Sequence, residues 1–494
     1  MPPNAIDRSV MSICPICLKP ISGRIFQECD RIFIEKTCDI HGHFNELYWS
    51  DAEVFRKFNR FLCDGTGIDN SKISIAGCPF DCGLCSNHKT ATLLGNIDIT
   101  NKCNMDCSVC FANAGGQVYE PTLNQIKAMM QNLRSQKPIP CPAVQFSGGE
   151  PTIRDDLPQI VAMAEKMGFS QIQIATNGLR LAASPNFCHS LVINGLNTVY
   201  LQFDGVTAEP YKIIRGRDFF PAKLKALNNL KRAGQKSVVL VPTLAKGVND
   251  HQVGDMVKFA SKRLDIVKGI NMQPVSFSGR IDSDERAHKR LTIPDLFRLL
   301  EEQTDNQITR DDFYPVSFVA PISRLIAAES GKEQPIFTVH PCCGAATYIY
   351  NFDSHLIPIT RFIDVEGLFE KIRLEVDAFN GSNLGKLKMR GKILKQMPRF
   401  LDENRIPGDL NVKKMLVGIF MNGTRESLKE FHNKTLFLGA MHFQDVYNMD
   451  LERLQRCGVH YATPDGRIIP FCSYNTIHRK EIEDKFSLKT PLLQ

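Results

Sequence analysis

Short apolar segments alternate with stretches of helical periodicity from about residue 95 onward. The apolar segments are NIDIT, AVQFS, IQIAT, TVYLQFDG, SVVLVPTL and GINMQPV. Alternation of this kind is typical of βα units, in which successive strands pair in parallel. Because polar and glycine residues follow several of these segments directly, we predict a partial (β/α) barrel with its site at the carboxyl ends of the strands.

The pattern divides the chain of 494 residues into three parts. Residues 1–94 hold eight of the seventeen cysteines and are predicted to form an N-terminal metal-binding module. Residues 95–290 carry the alternation and form the predicted barrel core. Beyond residue 290 the alternation fades while further cysteines occur, so residues 291–494 are predicted to be a C-terminal module that closes over the barrel mouth. The predicted fold class is α/β with two flanking modules.

The composition indicates the class of protein and its expected location. The hydrophobic fraction of 43% and the charged fraction of 23% are ordinary for a globular protein. No apolar run reaches the roughly 18 residues of a spanning helix, so no transmembrane segment is predicted. The first residues lack the pattern of a secretory signal, which predicts a reducing cytoplasm as the location, with the inner membrane surface as the alternative. In that compartment the cysteines are expected to bind metal rather than form disulfides.

The basic excess is concentrated in one stretch, residues 384–414, within a chain of net charge +7. Apolar residues recur there at helical spacing: Leu384, Leu387, Leu394, Met397 and Leu401. Two interpretations remain open, peripheral contact with an anionic membrane surface and the solvated face of a surface helix. A single Trp, ten Tyr and the lack of a broad basic face argue against a nucleic-acid binder.

The segment after NIDIT carries three cysteines at close spacing, Cys103, Cys107 and Cys110. A cubane iron-sulfur cluster takes four thiolates, so this run leaves one iron open for another ligand. A structural zinc site or an electron-transfer cluster is the alternative for the triplet alone. After AVQFS, Gly148 and Gly149 are expected to let the backbone approach a ligand, whose ammonium group Glu150 receives.

The order of these motifs resembles the radical SAM superfamily. The resemblance implies a [4Fe-4S] cluster on the three cysteines and S-adenosylmethionine (SAM) on its open iron, giving a 5′-deoxyadenosyl radical. It further implies that Gly148, Gly149 and Glu150 bind the SAM amine, while Asn177, Gln202 and Asp204 line the ribose and substrate side. Val109 departs from the aromatic residue usual before the third cysteine, and Phe111 is expected to supply the adenine contact instead.

A second triplet of identical spacing, Cys78, Cys82 and Cys85, has no leading strand. We assign it to an auxiliary cluster whose fourth ligand comes from elsewhere, with Cys343, Cys457 or Cys472 as candidates. Cys457 and Cys472 flank a predicted hairpin, so they can also converge on one metal. A buried free thiol is the alternative for each single cysteine.

The N-terminal cysteines form a different pattern, a CxxC followed by a CxxH across a hairpin. Cys14, Cys17, Cys38 and His41 are predicted to close one mononuclear site, structural or electron-carrying, of the zinc-ribbon or rubredoxin type. Cys29 falls at the hairpin turn and is left out of the ligand set. A Cys3His set does not separate zinc from iron.

The whole series of motifs resembles the tetraether lipid synthase family and its relatives that methylate 7,8-dihydro-6-hydroxymethylpterin. They are CPIC, KTCDIHG, GCPFDCGLC, NIDITNKCNMDCSVC, SGGEPT, HPCCGAATY and HYATPDGRIIPFC. The resemblance implies one or two auxiliary [4Fe-4S] clusters, a mononuclear Fe or Zn, and a donor such as ferredoxin or flavodoxin. The leading expectation is carbon-carbon coupling of isoprenoid lipid tails, and the alternative is radical methylation of a dihydropterin.

Acid and base catalysis is not predicted for this chemistry. His340, His442, His460 and Tyr461 lie near the C-terminal cysteines in the sequence. We expect them to be core residues with satisfied hydrogen bonds rather than substrate contacts.

Overall fold

The computed structural model describes residues 6–69, 77–115, 118–284, 286–408, 410–422 and 431–487. Two sheets organise these residues, one of four strands and one of thirteen. Among the residues described, no helix combines the length and apolar content that crossing a bilayer requires, as the composition predicted.

The N-terminal sheet is an antiparallel meander. Alternate residues of its strands are buried, including Ile32 and Ile34, because one face packs on the rest of the chain. Cys29 lies exposed at the predicted hairpin turn with a φ of +53°. A helix follows, capped by the Asp51 carboxylate, which accepts hydrogen bonds from two backbone amides of the first turn. The elements are β1 Asp7–Ile13, β2 Pro20–Glu28, β3 Arg31–Cys38, β4 Gly42–Trp49 and α1 Ala52–Asn59.

The larger sheet contains eight neighbouring parallel strands, in the order β16-β5-β6-β7-β8-β9-β11-β15. This confirms the predicted α/β class and the parallel core of a partial barrel. All but the first residue of β5 are buried, as expected for a strand covered on both faces. The strands are β5 Leu94–Thr100, β6 Ala143–Gly148, β7 Gln171–Thr176, β8 Thr198–Gln202, β9 Val238–Val241, β10 Thr243–Leu244, β11 Val267–Pro274, β12 Tyr314–Pro315, β13 Gly344–Phe352, β14 His355–Pro358, β15 Thr435–Met441, β16 Val459–Ala462 and β17 Ile468–Pro470.

Helices connect the successive strands β5, β6, β7, β8, β9 and β11, and further helices follow β11. The first, α2, begins at a capping box formed by Thr122 and Gln125 and buries Ile126, Met130 and Leu133. The helices are α2 Leu123–Arg134, α3 Leu157–Lys166, α4 Leu179–Ala183, α5 Pro185–Ile193, α6 Ala208–Arg215, α7 Phe220–Arg232, α8 Val253–Ser261, α9 Arg286–Lys289, α10 Ile293–Gln303, α11 Ala320–Ser330, α12 Val365–Asp377, α13 Asn383–Gln396, α14 Val412–Asn422, α15 Leu451–Gln455, α16 Phe471–Ser473 and α17 Arg479–Phe486.

The sheet continues through the boundary expected at residue 290. Strand β15 pairs in parallel with β11, and β16 pairs in parallel with β5, so the C-terminal part extends both edges of the core. Strands β13 and β17 then add antiparallel neighbours outside them. The C-terminal segment therefore builds the barrel sheet as well as flanking it.

A buried ionic network joins the N-terminal sheet to the body. Arg290 lies 2.9 Å from Asp445 and 3.6 Å from Glu46 of β4. Lys36 of β3 donates to the Ser12 hydroxyl and to the carbonyl of Val446. Because all three parts of the chain contribute charges, the network fixes how the modules meet.

The basic stretch 384–414 is only partly a free surface. Met397 is buried, while Leu384 and Leu387 are exposed at 62% and 66%. Arg390 pairs with Glu329, and Lys392 lies 3.0 Å from Glu375. Part of the basic excess is thus neutralised within the chain, and membrane contact through this stretch stays a prediction.

Candidate functional site

The N-terminal cysteines gather around one point. The ligand atoms of Cys14, Cys17, Cys38 and His41 all lie within 4.8 Å of one another. His41 Nδ1 is 3.5 Å from the sulfurs of Cys14 and Cys38. Four soft donors at these distances fit one tetrahedral ion and leave no position for a substrate.

Cys103, Cys107 and Cys110 follow β5 and line the main cavity of the barrel, about 250 Å³ in volume. Burial raises the pKa of the Cys103 thiol to about 11. The Cys110 sulfur accepts a hydrogen bond from the Ala114 amide at 3.5 Å. The lining contains no fourth cysteine among the residues described, so this donor set fits a cluster with one open iron.

Gly148 and Gly149 line the cavity and also pack closely on the cysteine loop. A Cβ on Gly148 would lie 1.9 Å from the Thr100 carbonyl oxygen, and one on Gly149 would lie 2.2 Å from that of Lys102. The amides of Gly149 and Glu150 donate to these same two carbonyls at 2.8 Å. The glycines thus let their loop pack on the start of the cysteine loop, and their binding of a ligand stays a prediction.

Glu150 is buried at the cavity wall, at 1% exposure. Its Oε1 accepts hydrogen bonds from the Thr152 amide, the Thr152 hydroxyl and the Thr176 hydroxyl, at 2.6 to 3.0 Å. Its Oε2 accepts from the Asn177 amide at 2.7 Å. These donors fix the carboxylate, and Oε2 keeps capacity for one further donor.

Asn177 and Gln202 line the cavity, as expected from sequence. The Asn177 amide group donates to Asn104 of the cysteine loop at 2.7 Å. Gln202 accepts a hydrogen bond from the buried Lys223 ammonium at 3.1 Å. Burial lowers the pKa of Lys223 to about 8.

Asp204 does not lie where the sequence placed it. It is fully buried, is absent from the cavity lining, and binds Arg215 at 2.8 Å. Burial alone would raise the pKa of Asp204, but the Arg215 guanidinium holds it below the usual value. Arg215 itself lines the cavity and lies against the Cys107 thiol. Sequence analysis missed Arg215, since no local motif marks a partner eleven residues away.

Aromatic side chains from the C-terminal part complete the cavity. Phe443 and Phe471 stack with their ring centroids 4.2 Å apart, and Phe111 lies 5.8 Å from Phe471. Tyr461, expected to be a core residue, also lines the cavity. Phe111 lines it too, which is compatible with the expected adenine contact.

The second cysteine triplet lies at a separate small cavity. Burial and the neighbouring thiols of Cys82 and Cys85 raise the pKa of Cys78 to about 12. Burial raises the pKa of Cys82 to about 11. Because iron binds only the thiolate, loading this site has to release protons.

Cys343, Cys457 and Cys472 form a third group. Burial, with a contribution from the Cys343 and Cys82 thiols, raises the pKa of Cys457 to about 12. Burial raises the pKa of Cys472, and Cys457 and Cys343 contribute. Cys457 and Cys472 do flank a hairpin, formed by β16 and β17. The structure therefore brings these three thiols near one another and near Cys82.

The buried histidines near these cysteines are not fully satisfied, contrary to expectation. His340 Nε2, both ring nitrogens of His442 and His460 Nδ1 are buried without a hydrogen-bond partner among the residues described. A further histidine, His88, lines the cavity of Cys78, Cys82 and Cys85 and was missed by sequence analysis. Its position three residues after Cys85, which gives a CxxH spacing, is the signal that was available.

Comparisons with known proteins agree with this geometry. The model of the radical SAM superfamily matches residues 97–260, and the model of the HMPTM N-terminal zinc ribbon domain matches residues 6–50. The chain is 47% identical over 489 residues to the 7,8-dihydro-6-hydroxymethylpterin dimethyltransferase of Methanocaldococcus jannaschii. That alignment covers 98% of this chain and 96% of the relative.

More distant relatives match only part of the chain. The probable GTP 3′,8-cyclase of Methanothermobacter thermautotrophicus is 28% identical over 40% of this chain and 62% of its own. The crystal structure of Streptococcus suis SuiB bound to S-adenosylmethionine aligns with a TM-score of 0.37 and 18% identity, over 44% of this chain and 48% of that chain.

Proposed function

The chain belongs to the radical SAM family that contains the 7,8-dihydro-6-hydroxymethylpterin dimethyltransferase of Methanocaldococcus jannaschii, and we propose that it transfers methyl groups from SAM to a dihydropterin, each transfer leaving S-adenosylhomocysteine. The observation that carries the proposal is the extent of this relationship, 47% identity over 98% of the chain and 96% of the relative. Both the ribbon and the C-terminal cysteines fall inside it. The pterin was the alternative expected from sequence, and it is better supported than coupling of lipid tails.

The character of the cavity also supports a compact polar substrate. Its wall carries the amide side chains of Asn96, Gln145 and Gln273. Gln145 donates to Asn96 Oδ1 at 3.0 Å, while Asn96 Nδ2 is buried without a partner in the described part of the chain. Amide donors and acceptors beside aromatic rings suit a flat heterocycle, whereas alkyl tails favour an apolar tunnel.

The chain's own residues hold the reactants in this proposal. Cys103, Cys107 and Cys110 hold the cluster, which with bound SAM supplies a 5′-deoxyadenosyl radical. Glu150 Oε2 would accept a hydrogen bond from the SAM ammonium group, and Arg215, which lines the same cavity, would attract its carboxylate. Phe443, Phe471 and Tyr461 from the C-terminal part exclude water from the cavity.

The remaining metal sites are assigned to support roles. Cys14, Cys17, Cys38 and His41 hold one ion, for which the match to a zinc ribbon model favours zinc. Cys78, Cys82 and Cys85 hold an auxiliary cluster, and Cys343, Cys457 and Cys472 provide thiolates for a further one. A small electron-transfer protein of the ferredoxin or flavodoxin type supplies the reducing electron.

The test separates the two substrates directly. Anaerobically reconstituted chain is incubated with SAM, dithionite and either 7,8-dihydro-6-hydroxymethylpterin or an archaeal diether lipid, and products are identified by mass. The proposal expects a pterin heavier by one or two methyl substitutions, and no such product from the Cys103→Ala/Cys107→Ala/Cys110→Ala variant. Coupled lipid chains beside an unchanged pterin would contradict it.

A further inference from the structure

The cavity around Cys78, Cys82 and Cys85 contains no fourth cysteine among the residues that the structure describes. Its other side chains with metal-binding atoms are Asp81 and His88. The Asp81 carboxylate accepts a hydrogen bond from the Gly77 amide at 2.5 Å, which closes its own turn. His88 is therefore the residue whose chemistry suits a missing ligand.

Two neighbours of the His88 ring favour one tautomer. Its Nε2 lies 2.9 Å from the carbonyl oxygen of Cys457, which only accepts hydrogen bonds, and 3.1 Å from His460 Nε2, which accepts when its own proton is on Nδ1. A proton on His88 Nε2 satisfies both contacts and leaves Nδ1 the lone pair that a metal requires. Metal-binding histidines commonly donate their second ring nitrogen to a backbone carbonyl in this way. The backbone holds the residue close, because the His88 amide donates to the Cys85 carbonyl at 2.9 Å.

The spacing of the donor atoms argues against a single ion at this site. At the ribbon site four ligand atoms lie mutually within 4.8 Å, but no three of the corresponding atoms of Cys78, Cys82, Cys85 and His88 do so. All four of these residues are described. Ligands of a cubane bind separate irons, so they stand farther apart than ligands of one ion.

We propose that His88 is the fourth protein ligand of the iron-sulfur cluster on Cys78, Cys82 and Cys85, binding one iron through Nδ1. The proposal rests on the auxiliary cluster of the proposed function. It replaces Cys343, Cys457 and Cys472 as candidates for this position and leaves them to the third group. A neutral imidazole in place of a thiolate makes the cluster less negative and raises its reduction potential.

The ligand nitrogen is detected without an activity assay. The full chain carrying Cys103→Ala/Cys107→Ala/Cys110→Ala, which lacks the SAM-binding cluster, is reconstituted anaerobically, reduced and studied by pulsed electron paramagnetic resonance. A strong nitrogen coupling is expected, and growth on [15N]histidine changes it to the 15N pattern. Because labelling needs no substitution at His88, this measurement does not depend on the folding of a His88 variant.

Three further variants of the Cys103→Ala/Cys107→Ala/Cys110→Ala chain show which residue produces the nitrogen coupling. His88→Ala loses the coupling, and His88→Cys loses it while keeping the iron content and shifting the reduction potential to a more negative value. His478→Gln is the matched control and retains the coupling. The His478 ring nitrogen lies 3.0 Å from the Pro79 carbonyl, beside the same loop, but His478 is absent from the cavity lining.

Three results would overturn the assignment: a reduced cluster without nitrogen coupling, a coupling that survives His88→Ala, or an iron content unchanged by Cys82→Ala in this background. The last result would show that Cys78, Cys82 and Cys85 hold no auxiliary cluster. Failure of the methyl transfer is read separately, from the pterin product formed by the wild-type chain, so the two proposals fail on different measurements.

Discussion

Four donors meet the carboxylate of Glu150 inside the barrel, two from Thr152, one from Thr176 and one from Asn177. A buried carboxylate is costly unless hydrogen bonds compensate for lost hydration. This shell compensates the Glu150 side chain for the hydration that it loses on burial and fixes its orientation at the cavity wall.

Replacing Glu150 by Gln is expected to weaken SAM binding by about tenfold to a hundredfold, the value of a hydrogen bond to a charged group, about 1.5–3 kcal/mol. Equilibrium dialysis on iron-replete protein measures the affinity. Glu302→Gln, at an exposed position of α10, is the control and leaves it unchanged. Equal SAM affinities for the wild type and Glu150→Gln would show that Glu150 does not bind SAM.

Gly149→Ala is expected to lower cluster loading, because the new Cβ meets the Lys102 carbonyl at the start of the cysteine loop. Relief of the overlap displaces this loop at a cost of about 1–3 kcal/mol. Iron and sulfide analysis after reconstitution measures the loss. Gly391→Ala is the matched control, since nothing lies within 4 Å of its Cβ. Full loading in Gly149→Ala would show that the close approach is dispensable.

At the scale of single residues, the sequence predicted the position of a side chain where a short motif determines that position. Glu150 and Asn177 lie at the cavity because each lies within two residues of the end of a parallel strand. Asp204 also follows a strand, but its role depends on Arg215, which arrives on a later helix. The sequence motif therefore predicted that Asp204 follows a strand, but it did not predict the ion pair of Asp204 with Arg215.

At the scale of elements, the ribbon is the most self-contained unit. Its four strands and its four metal donors come from 44 consecutive residues, 6–49. The donors were predictable because the CxxC and CxxH pairs lie on loops that a hairpin brings together. The identity of the ion was not, because zinc and iron accept the same donors.

Cys38→Ser is expected to release the ribbon metal and loosen the sheet, because metal binding supplies much of the folding free energy of such small units. Metal analysis reports the loss of one ion per chain. The single Trp of the chain, Trp49, is fully buried in β4, so its emission shifts to longer wavelength.

Cys29→Ser serves as the control for this change. Cys29 is exposed at the hairpin turn and lies outside the donor group. Metal content and Trp49 emission are expected to remain as in the wild type. A loss of metal in Cys29→Ser, or its retention in Cys38→Ser, would require a different ligand set.

At the scale of the whole molecule, distant segments share one sheet. Strands β15 and β16 pair with β11 and β5 across more than 160 and 350 residues respectively, as Gly269 with Phe437 and Leu94 with Val459 show. Periodicity predicts a strand but not its partner at such separation. The predicted boundary at residue 290 therefore marks a change of pattern along the chain rather than an edge of the barrel.

Arg290→Leu is expected to destabilise the protein by about 3–5 kcal/mol, because it leaves the Asp445 carboxylate buried without its ion-pair partner, whereas Glu46 keeps Arg286. Thermal unfolding at matched metal content measures the change in Tm. Arg298→Leu breaks an ion pair whose arginine is 62% exposed, and its effect is expected to stay below about 1 kcal/mol. Equal Tm values for the two variants would show that the network does not hold the modules together.

The central claim is that the site of Cys103, Cys107 and Cys110 cleaves SAM reductively, and formation of 5′-deoxyadenosine tests it most directly. Reduced, iron-replete wild-type chain is predicted to produce 5′-deoxyadenosine from SAM under anaerobic conditions, and Cys107→Ser to produce none above background. Cys29→Ser is predicted to match the wild type. Equal production by wild type and Cys107→Ser, or none by the iron-replete wild type, would contradict the account.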